Sequence, residues 1–247
     1  MRFALIGAGL TCKHLTPKAI EMLKSYEEVY VDLYTSIFEG GLVECISKYR
    51  KNTKGAYRED LEGDFLKGKR EVALVVAGDP MAATTHSALL VEAKQRGYDV
   101  EIIPGISALQ VARTKSGLSQ YRFGRVVTMM YPRDGIDFSE SVYYAIKEND
   151  GLNLHTIVLL ETGYGKSMKT NEAAQLLLKQ FESKGENAGK RPVLVMARLC
   201  WKNEDIRLVT LEEAIELDLG EPPHLMVFPS PRLHPIEEDL IKMLYGN

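Results

Sequence analysis

The chain has 247 residues, of which 26% are charged and 45% hydrophobic, and a formal net charge of -3. That length suits one large domain or two of ordinary size, and the composition is ordinary for a soluble globular protein. The slight acidity argues against a broad nucleic-acid-binding surface, and no stretch is long and apolar enough to cross a bilayer. The sequence starts with Met-Arg-Phe-Ala-Leu-Ile-Gly, a strand and a turn rather than a charged leader, apolar core and cleavage site, so a cytoplasmic protein is expected.

Phe3–Ile6 is an apolar run broken by Gly7-Ala-Gly9-Leu10. Strand, glycine turn and helix are the setting of a phosphate-cradling loop, but Cys12 stands where the third glycine of that pattern belongs. Thr16-Pro17 predicts a capped helix start. Val29–Tyr34 reads as a second strand ended by Tyr34-Thr35-Ser36, and Leu42–Tyr49 as an amphipathic helix. Asn52–Arg70 is polar and reads as a solvated connection. Val72–Ala77 is a continuous apolar run stopped by Gly78-Asp79-Pro80, the pattern of a strand buried on both faces in a parallel sheet. Thr84, Thr85 and His86 follow, with either threonine able to cap a helix over Ser87–Gly97. Val100–Ile103 is a fourth strand, ended by Pro104-Gly105-Ile106-Ser107. Four strand–break–helix units predict a parallel α/β domain over residues 1–118.

The texture then changes, and a second α/β domain with a mixed sheet is expected over residues 119–247. Its predicted strands are Val126–Met130, Leu154–Leu160, Pro192–Ala197, an edge strand Ile206–Val209, and Leu225–Phe228. Thr210-Leu-Glu-Glu213 is a capping-box pattern. Gly220-Glu-Pro-Pro-His224 is a stiff turn, and Pro235–Tyr245 a terminal helix.

The strand ends carry small or backbone-presenting residues and few acids, bases or nucleophiles. In open α/β sheets ligands bind beyond the carboxyl ends of the strands. No nucleophile elbow and no phosphate-binding P-loop is present. The site reads as a grip on a cofactor that carries the chemistry itself. S-adenosyl-L-methionine fits, because its sulfonium already makes the methyl group electrophilic and the protein has only to align the reactants. The three cysteines, Cys12, Cys45 and Cys200, are an odd number with no C-x-x-C spacing, so neither a disulfide framework nor a structural zinc site is expected. The five histidines have no metal-binding spacing, and no metal site is predicted.

Leu5-Ile-Gly-Ala-Gly-Leu10, Tyr34-Thr-Ser36, Arg58-Glu-Asp60, Gly78-Asp-Pro-Met-Ala-Ala-Thr-Thr-His86, Tyr121-Arg-Phe-Gly124, Leu154-His-Thr156, Thr170-Asn-Glu-Ala173, Ala197-Arg198 and Gly220-Glu-Pro-Pro-His224 together resemble the tetrapyrrole-methylase superfamily and, within it, the diphthine synthases. The resemblance covers nearly the whole chain. It implies two α/β domains with the cofactor cleft between them, usually in a homodimer. It also implies methyl transfer from S-adenosyl-L-methionine to a modified histidine of translation elongation factor 2, in diphthamide biosynthesis, with S-adenosyl-L-homocysteine as product. By position it assigns Leu10, Asp79, Ala82, Gly105, Ile106, Thr162, Met196, Ala197 and His224 to the cofactor. No residue is expected to be an essential general base; Tyr34, Thr35, Thr84, Thr85 and His86 are candidates to orient the acceptor amine or relay its proton. Pro104-Gly-Ile-Ser107 and Glu161-Thr162 depart from the diphthine synthase pattern and leave the acceptor open. The alternatives are a methylase of a corrin or porphyrin precursor, an RNA 2′-O-methyltransferase of the same superfamily, and an adenosine-ligand sensor without transfer.

Overall fold

The structure, a computed structural model, describes residues 1–162 and 165–246. The chain divides into two compact units, Met1–Ala108 and Leu109–Asn247. The division falls after the first residue of the helix Ala108–Lys115, ten residues before the boundary expected at 118.

The first unit holds a five-stranded sheet. Its strands are β1 (Arg2–Gly7), β2 (Glu28–Asp32), β3 (Thr53–Ala56), β4 (Glu71–Val76) and β5 (Asp99–Ile103), in the order β3-β2-β4-β1-β5. Every pairing is parallel, so all five carboxyl ends lie along one edge. The helices are α1 (Pro17–Ser25), α2 (Leu42–Ser47), α3 (Arg58–Glu62) and α4 (Ser87–Gln95). Strand side chains alternate between faces. Ala4, Ile6, Val29, Val31, Ala73 and Val75 pack on one side with Ala19, Leu23 and Ile46. Phe3, Leu5, Val72, Leu74 and Val76 pack on the other with Leu61, Leu89 and Ala93. Both faces are covered, which is why β1 and β4 read as unbroken apolar runs. Each fully buried Leu, Ile or Phe contributes about 1.5–3 kcal/mol by leaving water.

Two expectations fail here. Residues 52–70 are not a bare connection, since they hold β3 and α3. Thr-Lys-Gly-Ala has little β propensity, and β3 is an edge strand held by backbone pairing to β2 rather than by its side chains. Cys12 and Cys45 also form a disulfide, with Cα atoms 5.6 Å apart across 33 residues. Cys12 lies in the turn after β1 and Cys45 on α2, and both pack into the same apolar face of the sheet. Spacing along the chain cannot reveal that adjacency.

Cap expectations divide. Thr16 Oγ1 accepts the Ala19 N–H at 3.1 Å, as Thr16-Pro17 predicted. The residue preceding α4 is His86, and neither Thr84 nor Thr85 caps the helix.

The second unit begins with α5 (Ala108–Lys115) and holds β6 (Val127–Met129), α6 (Ser139–Gly151), β7 (Thr156–Leu160), α7 (Thr170–Ser183), β8 (Pro192–Ala197), β9 (Asp205–Thr210), α8 (Leu211–Glu216), β10 (His224–Phe228) and α9 (Pro235–Tyr245). Its sheet order is β6-β7-β10-β8-β9. Only β6 and β7 pair in parallel; β10 is antiparallel to both its neighbours, and the sheet is mixed. The last strand of the chain thus fills the centre. The capping box appears as read, with Thr210 Oγ1 accepting from Glu213 N and the Glu213 carboxylate accepting from Thr210 N. Met129, Val158, Val195, Met226 and Phe228 form the core with Ile146, Leu177, Phe181 and Leu211 from the helices.

Candidate active site

In the first unit, the ends of β1, β4 and β5 are held together backbone to backbone. Gly9 and Gly78 exchange hydrogen bonds of 3.1 and 2.7 Å. A Cβ on Gly105 would come within 2.2 Å of the Gly78 carbonyl oxygen, and one on Gly7 within 2.6 Å of the Gly105 nitrogen. Only glycine allows three strand ends to approach so closely. Asp79 ties the same point together. Its Oδ1 accepts the Met81 N–H at 2.9 Å and its Oδ2 the Gly105 N–H at 3.1 Å. A carboxylate has about four lone-pair sites, so acceptor capacity is left on each oxygen. The turn continues with the Ala82 N–H on the Asp79 carbonyl at 3.3 Å, and Ala83 takes a φ of 55°. On β1's side, His14 folds back so that its Nδ1 accepts the Leu10 N–H at 3.2 Å. Leu10, Asp79, Ala82, Gly105 and Ile106 therefore sit at three neighbouring strand ends, with Ile106 exposed.

Next along the same edge, at β2, stand the acceptor-side candidates, and a residue the sequence reading did not single out. Asp32, the last residue of β2, is 2% exposed. Its Oδ1 accepts the backbone N–H groups of Tyr34 (2.8 Å) and Thr35 (3.2 Å), and its Oδ2 accepts from the Thr35 hydroxyl. His86, 3% exposed, places Nε2 2.9 Å from Asp32 Oδ2. The approach is off-axis, so this contact is electrostatic rather than a linear hydrogen bond. On the far side of the ring, His86 Nδ1 is hydrogen-bonded to the Thr84 hydroxyl. Tyr34 and Thr85 hydroxyls lie 3.4 Å apart. Burial pushes the Asp32 carboxyl up, but the contacts from His86, Thr35 and Tyr34 outweigh it and hold the carboxyl below its ordinary value. Tyr34, Thr85 and His86 also line a cavity of about 290 Å³ with Leu61, Glu62 and Glu92. All five candidates thus gather in one place, around a carboxylate that, once buried, requires the partners it has.

In the second unit, β7, β8 and β10 bring the remaining candidates to one edge. His224 pairs in register with Ala197, and Leu225 with Met196. Thr162 follows the end of β7, which pairs with the start of β10. Met196 and Ala197 are fully buried, so what they offer a ligand is backbone. His224 Nδ1 accepts the Thr170 N–H at 3.2 Å, and Nε2 lies 3.2 Å from the Glu221 carbonyl. That pattern sets the neutral tautomer with the proton on Nε2. Burial is the main reason its pKa falls to about 4, and Arg198 and Lys169 add to the fall. Among the described residues no cluster of His, Cys, Asp or Glu suits a metal ion.

The model of the tetrapyrrole (corrin/porphyrin) methylases matches residues 2–215. The chain belongs to the tetrapyrrole methylase family, in its diphthine synthase branch. It is 35% identical to the diphthine synthase of Sulfurisphaera tokodaii over 97% of each chain. It is 38% identical to that of Methanopyrus kandleri, covering 96% of this chain and 94% of the other. A diphthine synthase crystal structure superposes with a TM-score of 0.89 at 28% identity, over 99% of this chain and 96% of that one. A methylase family of this fold uses a bound methyl donor. The strand ends of the first unit fit such a donor in kind, since Asp79 keeps acceptor capacity for a cationic end. Open space around the Cα of Gly78, where an added Cβ would meet nothing within 4 Å, leaves room beside the carboxylate.

Proposed function

We propose that the protein is a diphthine synthase: a methyltransferase that takes the methyl group of S-adenosyl-L-methionine, releases S-adenosyl-L-homocysteine, and modifies the altered histidine of translation elongation factor 2. The observation that carries this reading is full-length similarity to diphthine synthases in sequence and in fold. It favours this reading over a corrin or porphyrin methylase, an RNA 2′-O-methyltransferase or a sensor. The donor supplies an electrophilic methyl group on a sulfonium. Leu10, Asp79, Ala82, Gly105 and Ile106 from the first unit, and Thr162, Met196, Ala197 and His224 from the second, are the residues assigned to hold it. Asp79 accepts hydrogen bonds from, and attracts, its cationic end. His224, kept neutral by burial, adds no positive charge to a site that must take a cation. Tyr34, Thr35, Thr84, Thr85 and His86 face the acceptor amine. The enzyme works in the cytoplasm as a homodimer.

The test is methyl transfer from labelled donor by the purified protein. Elongation factor 2 carrying the modified histidine is expected to be labelled, with the label on that histidine by mass spectrometry. Label entering a tetrapyrrole or an RNA instead, or donor binding with no transfer at all, overturns the proposal.

A further inference from the structure

Resting on the proposed function, the chain at the end of β2 deepens it. An alkyl amine is mostly protonated at pH 7, by analogy with lysine. It becomes a nucleophile only after losing that proton. We propose that Thr84, His86 and Asp32 form a proton relay that deprotonates the acceptor amine, with Thr84 the catalytic residue that touches the substrate and His86 and Asp32 acting through it.

Three observations carry the proposal. First, the three groups are in sequence: the Thr84 hydroxyl on His86 Nδ1, and His86 Nε2 2.9 Å from Asp32 Oδ2. A carboxylate at Nε2 keeps the proton there and leaves Nδ1 as the acceptor for the hydroxyl. The residue types and order are those of hydroxyl–imidazole–carboxylate triads, with the carboxylate acting on the ring through its charge rather than through a linear hydrogen bond. Second, the carboxylate is fixed. Two backbone N–H groups and the Thr35 hydroxyl hold Asp32 at 2% exposure, so the carboxylate cannot turn away from the ring. Third, the chain runs outward. Asp32 and His86 are buried, whereas Thr84 is partly exposed, after the turn that follows Asp79.

The step balances as follows. The substrate ammonium gives a proton to Thr84 Oγ1 as the Thr84 hydroxyl proton passes to His86 Nδ1. The amine is then neutral, its lone pair free to form the new N–C bond. His86 becomes an imidazolium, and Asp32 stays ionised beside it. The imidazolium later returns its proton to solvent through the same hydroxyl. Charged and titratable groups facing His86 are Asp32 and Tyr34 from the β2 end, Glu62 from α3 and Glu92 from α4. Glu62 is paired with Arg58 at 2.6 Å and Glu92 with Arg96 at 2.8 Å. No cation of the cavity wall opposes the imidazolium, since the lining residues include two carboxylates and no Lys or Arg.

The experiment compares wild type, Thr84→Val, Thr84→Ser, His86→Gln and Asp32→Asn on elongation factor 2 carrying the modified histidine, from pH 6 to 10. General-base assistance is worth typically about 10²–10⁴-fold. Thr84→Val and His86→Gln are therefore expected to lower kcat by about 100-fold or more, with donor affinity by calorimetry within twofold of wild type. Their rates should climb with pH toward the amine's own pKa, whereas wild type levels off earlier. Thr84→Ser should restore both rate and profile. Asp32→Asn should lower kcat more than it changes KM and move the acid limb of the profile. If His86→Gln does not fold, Thr84→Val on its partly exposed site still decides the matter. An active wild type whose Thr84→Val variant keeps its rate and pH profile overturns the relay alone. A wild type that transfers nothing to the factor overturns the proposed function and the relay with it.

Discussion

The disulfide between Cys12 and Cys45 closes a loop of 33 residues that contains α1 and β2. Cross-linking removes unfolded-state entropy in proportion to the logarithm of that loop, and the chain-entropy relation gives ~3.7 kcal/mol at 25 °C. Net stabilities of whole domains are about 5–15 kcal/mol, so the bond is a large fraction of what holds the first unit folded. Replacing both residues with alanine, or reducing wild type with dithiothreitol, should lower the midpoint of the first unit's thermal transition by on the order of 10 °C. Urea titrations followed by circular dichroism give the free-energy difference directly. The double variant should be insensitive to reductant, because Cys200 is the one free thiol. Thiol counting on the denatured, unreduced protein should likewise find only Cys200. Three reactive thiols, or oxidised and reduced forms unfolding within about 1 kcal/mol of each other, would refute the reasoning.

Gly105→Ala should cost about 1–3 kcal/mol by overpacking, and weaken donor binding as well, because its Cβ would meet the Gly78 carbonyl at 2.2 Å; unchanged melting and binding would sink this account of the three strand ends. His224 has a folded pKa of about 4 against an ordinary value near 6.5, so the unfolded chain binds the proton first as pH falls. Its contribution, up to roughly 3 kcal/mol, is whole above pH ~6.5 and drains away down to about pH 4. His224→Gln should therefore lose less stability than wild type between pH 7 and pH 4.5 in urea titrations, and equal losses would count against it. Arg122 reaches Glu237, the Ser230 hydroxyl and the carbonyls of Asn153 and Arg232. Arg122→Ala leaves the buried Glu237 carboxylate short of a partner and should destabilise the second unit by about 3 kcal/mol, with faster amide exchange at the start of α9. Exchange unchanged there would show that the network does not anchor the helix.

Where burial on both faces governs a segment, the sequence announces it: β1, β4, β8 and β10 are continuous apolar runs. Where backbone pairing alone makes the element, the residue types are silent, which is why Thr53–Ala56 passed as a loop. The site divides in the same way. Gly78-Asp79-Pro80 and Gly105 are legible as strand-end turns, because each follows the break of an apolar run. The clustering of Tyr34, Thr35, Thr84, Thr85 and His86 followed from motif and strand-end position. Asp32 was not singled out, because an acid at the end of a weakly alternating strand looks solvated until His86, fifty-four positions on, is known to cover it. The cysteine pair was missed for the same reason: its partners meet only after the sheet has formed.

The order of the second sheet bears on how the protein is made. β10 lies between β7 and β8, so neither of those strands has its neighbour on the inner side until residues 224–228 exist. Synthesis runs N-terminal first, at about 5–20 residues per second. The first sheet has all five strands by Ile103 and can fold on the growing chain. β7 must wait through the 63 residues that separate it from β10, and β8 through 26, each with one edge unpaired. A stalled or clipped product lacking the last two dozen residues would thus lose the middle of its sheet rather than a dispensable tail, and with it the histidine assigned to the methyl donor.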